Sequence, residues 1–224
     1  MRIKQASRPT PTDPGLGMEP IQLPKPDQKG GRPILSALKK RKTDRSISGK
    51  ALSPRVLSNL LWAACGINRL KGPFGDPGRT AASASNSQEV DLYVALKEGV
   101  YRYEPAPHRL ELVVAGDLRA LAISRGQSPA GANAPVRLLF VVDIHKFSQA
   151  GFQEPGLWNP ETQKAYYYVD TGLIAGNVYL FAASQGLACW FHNCERAALF
   201  TRLKLKPSQR VLFGQTVGYK STGR

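Results

Sequence analysis

Residues 137–144 read RLLFVVDI, with no polar side chain between Arg137 and Asp143. Successive side chains of a strand point to opposite faces, so a strand wet on one face alternates apolar and polar positions. A continuous apolar run of this length fits a strand buried on both faces. The rest of the chain supplies helices and strands around it. Ser53-Pro54 reads as a helix start, a capping hydroxyl followed by proline at the first helical position. Val56, Leu57, Leu60, Leu61 and Ala64 follow at helical spacing, and Gly66 can end the helix. A second long helix is expected over about 166–185, with Leu173, Ile174, Val178 and Phe181 at helical spacing and Gly186 at the C-terminal cap. Shorter helices are expected from Ile34 into KKRKTDR, at GDLRALAIS (116–124) and at ERAALFTRL (195–203). Strands are expected at 90–96, 187–193 and 211–219, with VYRY (100–103) and RLELVV (109–114) as a hairpin. Residues 67–89 read as one long loop. The order lacks strict βαβ alternation, and no G-x-G-x-x-G follows a strand. This predicts an α+β fold rather than a doubly wound dinucleotide-binding one.

A chain of 224 residues supports one ordinary core with a tail left over. Residues 1–33 hold seven prolines and little apolar periodicity. They are expected to form an extended or disordered arm, with a single domain over 34–224. The net charge of +15 is concentrated at the two ends: residues 1–50 carry twelve Lys and Arg against four Asp and Glu, and the last 24 carry six bases and no acid. Such charge attracts polyanions, either nucleic acid or phosphate-bearing small molecules, or marks only a soluble basic protein with a floppy basic arm, and charge alone does not separate the three. No recognition helix or RNP-like aromatic strand is present, so nucleic acid ranks last. No run of eighteen apolar residues and no leader-like apolar stretch occurs, so a membrane span is not expected and a cytoplasmic location is. A trimmed export signal stays open. Three cysteines, Cys65, Cys189 and Cys194, argue against a disulfide framework.

Three segments share the theme of holding a phosphate and a planar polar ring. In Arg41-Lys42-Thr43-Asp44-Arg45, alternate residues point the same way if the stretch is extended. Arg41, Thr43 and Arg45 then offer two guanidinium forks and a hydroxyl to a phosphate dianion, with Asp44 expected to face away. The alternative is a basic helix end. The second segment, 80–88, is small and polar, with Ser83, Ser85 and Asn86 able to donate and accept hydrogen bonds, or it is an ordinary polar loop. In the third, 184–190, Gly186 could bare backbone N–H groups beside a strand, or simply cap its helix.

In this order the segments resemble the nitroreductase family of flavoproteins, in particular its SagB-type dehydrogenase branch. R-x-T-x-R at 41–45 is similar to the family's phosphate motif, LSNLLWAACGINR (57–69) to its first long helix, and TAASASNSQEVDLYV (80–94) to its A-P-S-x-x-N-x-Q segment. NAPVRLLFVVD (133–143) resembles its Ala-Pro strand, 170–190 its long dimer-core helix and flavin turn, and VGYK (217–220) its closing strand. The resemblance spans residues 35–224. It departs at Ala82, where the family has proline, and at Gln88-Glu89-Val90, where Gln-Pro-Trp is usual and an acidic residue suits the SagB-like branch.

The resemblance implies a central, mostly antiparallel sheet flanked by helices, an intertwined homodimer, and FMN between the subunits. Arg41, Thr43 and Arg45 would bind the phosphate end, and Ser83, Ala84 and Ser85, with Asn86 nearby, would line the ring. Gly186 and Leu187 would present backbone groups to its N5 edge, and Lys220 and Arg224 would add charge at the phosphate. The implied activity passes hydride from NAD(P)H through the flavin to a nitroaromatic, quinone or similar acceptor. The alternative is dehydrogenation of a modified peptide or another dedicated metabolite. A Lys-Tyr acid–base pair of azoline-oxidising members is not assigned, although Lys164 lies near Tyr166, Tyr167 and Tyr168. No protein nucleophile or catalytic triad is needed. Cys189, His192 and Cys194 lack an evident fourth metal ligand. Trp190 could cover the ring or belong to the core, and Asn177 could be a polar contact at a dimer seam or a solvated position.

Overall fold

The computed structural model describes residues 19–72, 74–127 and 133–222. Its centre is a seven-stranded sheet in the order β1-β6-β5-β4-β7-β9-β8. The strands are β1 (Ile21–Gln22), β4 (Val90–Ala95), β5 (Gly99–Glu104), β6 (Arg109–Ala115), β7 (Val136–Asp143), β8 (Ala188–His192) and β9 (Gln209–Gly218). Every neighbouring pair is antiparallel. The apolar run forms β7 between β4 and β9, with Phe140 opposite both Leu92 and Phe213. Its even positions, Val136, Leu138, Phe140 and Val142, enter the main core. Leu139 and Val141 enter a second core on the opposite face. A strand clad on both sides has no use for polar alternation.

Helices α2 (Pro54–Cys65) and α3 (Pro160–Gln185) cover the first face, and α4 (Arg196–Arg202) the second. Ser53 caps α2, its hydroxyl accepting from the Val56 N–H, and Leu57, Leu60, Leu61 and Ala64 are buried. Helix α3 begins six residues before the expected start, because Asn159 accepts from Glu161 and Thr162 N–H and Pro160 takes the first position. Its buried stripe includes Tyr167, Ile174, Val178 and Ala182, while Tyr168, Val169 and Leu173 remain exposed.

Two expectations fail. Residues 116–124 form turns, not a helix. Asp117 holds the Arg119 side chain, whose guanidinium also reaches the Ala134 carbonyl, and the Leu121 carbonyl accepts from Glu195. Tertiary bonds leave only one turn, closed by the Ala122 N–H on the Leu118 carbonyl. Residues 67–89 are not a bare loop either: β2 (Ile67–Arg69) and β3 (Gly78–Arg79) pair as a small antiparallel ribbon, and a 3-10 turn spans Ala84–Asn86. In the N-terminal arm, the described part adds β1 to the sheet edge and sends the Arg32 N–H to Ser184. No described helix is long and apolar enough to cross a membrane.

Candidate functional site

Helix α1 (Ile34–Lys40) ends where Arg41 turns extended, at φ −61° and ψ 123°. The next residues run beside edge strand β8: the Asp44 N–H donates to the Cys189 carbonyl, and Ile47 bridges to Lys220. Extended geometry gives the predicted alternation. Arg41, Thr43 and Arg45 are all exposed. Arg41 lies over the Tyr179 ring at 5.6 Å, the Thr43 and Tyr179 hydroxyls are hydrogen bonded at 3.1 Å, and Arg45 lies over Trp190 at 4.9 Å. Tyr179 of α3 also accepts the Phe191 N–H, which locks it to β8. Trp190 is 3% exposed and so belongs to the core, with only its contact to Arg45 tying it to the motif.

The other alternation set lines a cavity of about 280 Å³ at the C-terminal end of α3. Lys40, Lys42, Lys220 and Arg32 surround it with Tyr179, Gly186 and Leu187. Asp44 lines it too, because even positions share a side, so it turns away from the Arg41, Thr43 and Arg45 row and toward the cavity. Its carboxylate is occupied by Lys42 Nζ at 3.4 Å and the Ser46 N–H. Gly186 is left-handed at φ 72°. Its N–H and that of Leu187 both donate back to carbonyls of α3, at Ala183 and Ala182. Those donors cap the helix, so the expected bare N–H groups are committed. The space where a Gly186 side chain would sit is open.

The predicted residues Ser83, Ala84, Ser85 and Asn86 lie in and beside the 3-10 turn, which is tied to α3 nearer its start. The Ala84 N–H donates to Asp170 Oδ2 at 3.0 Å, the Ser83 hydroxyl accepts from the Gln88 N–H, and Asn86 and Gln88 share the Pro77 carbonyl. Ser85, Asn86 and Gln88 all have positive φ. From Asp170 to Tyr179 is about 13 Å along the helix, so one chain keeps the two groups apart. Arg224 lies outside the described residues, as does 1–18 of the arm.

Sequence reasoning missed Tyr179, which joins both parts of the seat, and Asp170. Asn177 neither meets solvent alone nor waits for a partner: its amide donates to the Ala64 and Thr80 carbonyls. Cys189 and Cys194 sit in different cores on opposite faces of the sheet. His192 is buried between the Thr216 hydroxyl and the Asn193 carbonyl, and burial pushes its pKa down to about 4. Lys164 pairs with Glu161, while the Tyr166 hydroxyl reaches Glu154.

A large antiparallel sheet flanked by helices, with this basic seat at the end of its long helix, is the nitroreductase-like fold. The chain belongs to the nitroreductase family, matching it over residues 38–219. A solved structure from Ralstonia eutropha JMP134, provisionally named a nitroreductase, is similar with a TM-score of 0.79 and 31% identity, covering 98% of this chain and 97% of that one. A Methanocaldococcus jannaschii protein with the same provisional name is 27% identical over 159 residues, 66% of this chain and 72% of the relative. A chain of the E. coli microcin synthetase McbBCD complex shares the fold, with a TM-score of 0.65 at 18% identity over 80% of this chain and 68% of that one. The family makes the protein an oxidoreductase of flavin type.

Proposed function

We propose that the protein is an FMN-dependent oxidoreductase of the SagB-like branch, acting as a homodimer that passes hydride from NAD(P)H to a nitroaromatic, quinone or similar small acceptor. The observation that carries this reading is the exposed Arg41, Thr43 and Arg45 row beside a cavity ringed by Arg32, Lys40, Lys42 and Lys220. A dianionic phosphate suits that donor set, since Arg forks and Lys ammonium groups form charge-assisted bonds to it. The open space over Gly186 leaves room for a flat group beyond the phosphate. When bound, the flavin would supply the hydride-accepting and hydride-donating centre.

The chain's own residues would bind and orient it. Arg41, Thr43, Arg45 and Lys220 hold the phosphate end, and Asp44 is kept from repelling it by Lys42 and the Ser46 N–H. Ser83, Ala84, Ser85 and Asn86 form a rigid turn, and the distance along α3 is a reason to assign that turn to the partner's site. The exposed Tyr168, Val169 and Leu173 on α3 offer an apolar face for a second copy. An acidic residue after Gln88, here Glu89, supports the SagB-like branch.

The test is the visible spectrum of the purified protein on adding FMN and then NADPH under argon. Binding followed by bleaching is expected. Flavin that binds but does not bleach would replace NAD(P)H with a dedicated substrate as donor. A protein that ignores FMN would overturn the reading.

A further inference from the structure

Two carboxyls are buried together behind the turn at 83–88. Glu89, which precedes β4, is 0% exposed, and Asp170 of α3 is 5% exposed. Glu89 Oε2 accepts from the Ser87 hydroxyl at 2.7 Å, and Oε1 is buried with no hydrogen-bond partner. Asp170 Oδ2 accepts from the Ala84 N–H. Both carboxyls therefore grip the same turn, one at each end. Ser85, Asn86 and Gln88 within it are held at φ 49°, 55° and 50°. Asn visits that region readily, whereas Ser and Gln adopt it far less often and are held there by their contacts.

Among the described residues no cation forms an ion pair with either carboxyl. Arg79 of β3 lines the small cavity beside both carboxyls, with Ala82, Ser83 and Ile174, but forms no ion pair with either. Lys146, which follows β7, is tied to Asp91 at 2.6 Å and to the Gln88 carbonyl at 3.3 Å. Cys65 of α2 stays a neutral thiol, pushed up to about 11 by burial. Tyr166 of α3 turns its hydroxyl to Glu154. Two buried like charges at close quarters are costly, and a shared proton removes one of them.

We propose that Glu89 and Asp170 hold one proton between them at neutral pH, and that this proton fixes the turn 83–88, making both carboxyls positioning residues for whatever meets that turn. The proton sits on Glu89 Oε1 and is donated to Asp170. The Asp170 carboxylate thus accepts from Glu89 and from the Ala84 N–H, while Glu89 Oε2 keeps the Ser87 hydroxyl. This assignment satisfies the otherwise orphaned oxygen. Burial, then the charge of Asp170, holds Glu89 well above the ordinary carboxylate range. When the proton leaves to solvent at higher pH, two facing carboxylates repel and the turn loses its anchor. The inference rests on the flavin reading only for what the turn serves.

Infrared spectra of the flavin-free protein from about pH 6 to about pH 9 read the proton directly. A protonated-carboxyl band is expected at neutral pH, fading as pH rises and absent in Glu89→Gln. Hydrogen exchange of segment 82–88 should quicken by about tenfold more than intrinsic exchange over that range. Glu89→Gln, which keeps a donor to Asp170, should abolish this excess. No such band in the wild type, or a band that survives in Glu89→Gln, overturns the proposal. FMN titrated into both proteins is read separately. A band without FMN binding rejects the cofactor and keeps the shared proton, and FMN binding without a band does the reverse.

Discussion

Replacing His192 by Gln tests how the second core handles a buried base. His192 is 4% exposed, and its two ring nitrogens meet different partners. Nδ1–H donates to the Asn193 carbonyl at 2.9 Å, and Nε2 accepts from the Thr216 hydroxyl at 2.7 Å. That arrangement suits a neutral ring. Burial disfavours the imidazolium most, and the Arg137 guanidinium adds repulsion, so the pKa falls from 6.5 to about 4. Above pH 6.5 neither folded nor unfolded His192 carries the proton, and its contribution is intact. As pH falls below 6.5 the unfolded chain binds a proton that the folded one refuses, so stability is lost down to about pH 4. Between pH 7 and pH 4.5 the loss amounts to about 2 to 3 kcal/mol. His192→Gln can reproduce both hydrogen bonds and cannot titrate. Urea unfolding of the two proteins, followed by circular dichroism at several pH values, gives the difference in stability with all shared groups cancelled. Glu89, whose raised pKa destabilises the fold as pH rises, is among those shared groups. The wild type should lose about 2 to 3 kcal/mol relative to the variant on going from pH 7 to pH 4.5. A difference that does not change with pH, or that favours the wild type in acid, would refute the reasoning.

Arg41→Ala and Arg45→Ala should each weaken FMN binding by about 10- to 100-fold, the worth of a charge-assisted bond, as read by flavin fluorescence quenching. Unchanged affinity in both would remove the motif from the phosphate seat. Asp44→Asn removes a negative charge from the cavity and should tighten FMN binding by about two- to tenfold, most clearly at low salt. Gly214→Ala would set a Cβ 2.5 Å from the Ala122 carbonyl oxygen and 2.7 Å from the His192 ring. Backbone cannot yield as a side-chain tip does, so a cost of about 1–3 kcal/mol is expected. Calorimetry should find Tm lowered by about 3–10 °C.

Local rules made much of the fold legible. The run at 137–144 required two covered faces, and β7 has them. Ser53-Pro54 and Gly186 mark helix ends through hydrogen bonds to residues three to five positions away, which are written in adjacent sequence. The alternation of Arg41, Thr43 and Arg45 likewise needed only an extended backbone. The failures share one cause. Residues 116–124 have helical periodicity, but Ala134 and Glu195 supply competing partners from outside the segment. The cavity opens on the Lys40, Lys42 and Asp44 side of the segment and not on the Arg41 side, because β8 fixes which side turns inward. Tyr179 meets Thr43 across 136 positions, and Asp170 meets Ala84 across 86. Periodicity reports which face of an element is buried, because burial repeats with the backbone. It carries no record of which distant side chain fills the space opposite. The sequence by itself determined the elements, the basic segment and the family they resemble. Only the tertiary structure decided that Gly186 and Leu187 spend their N–H groups on a helix cap, and that two carboxyls line one buried pocket.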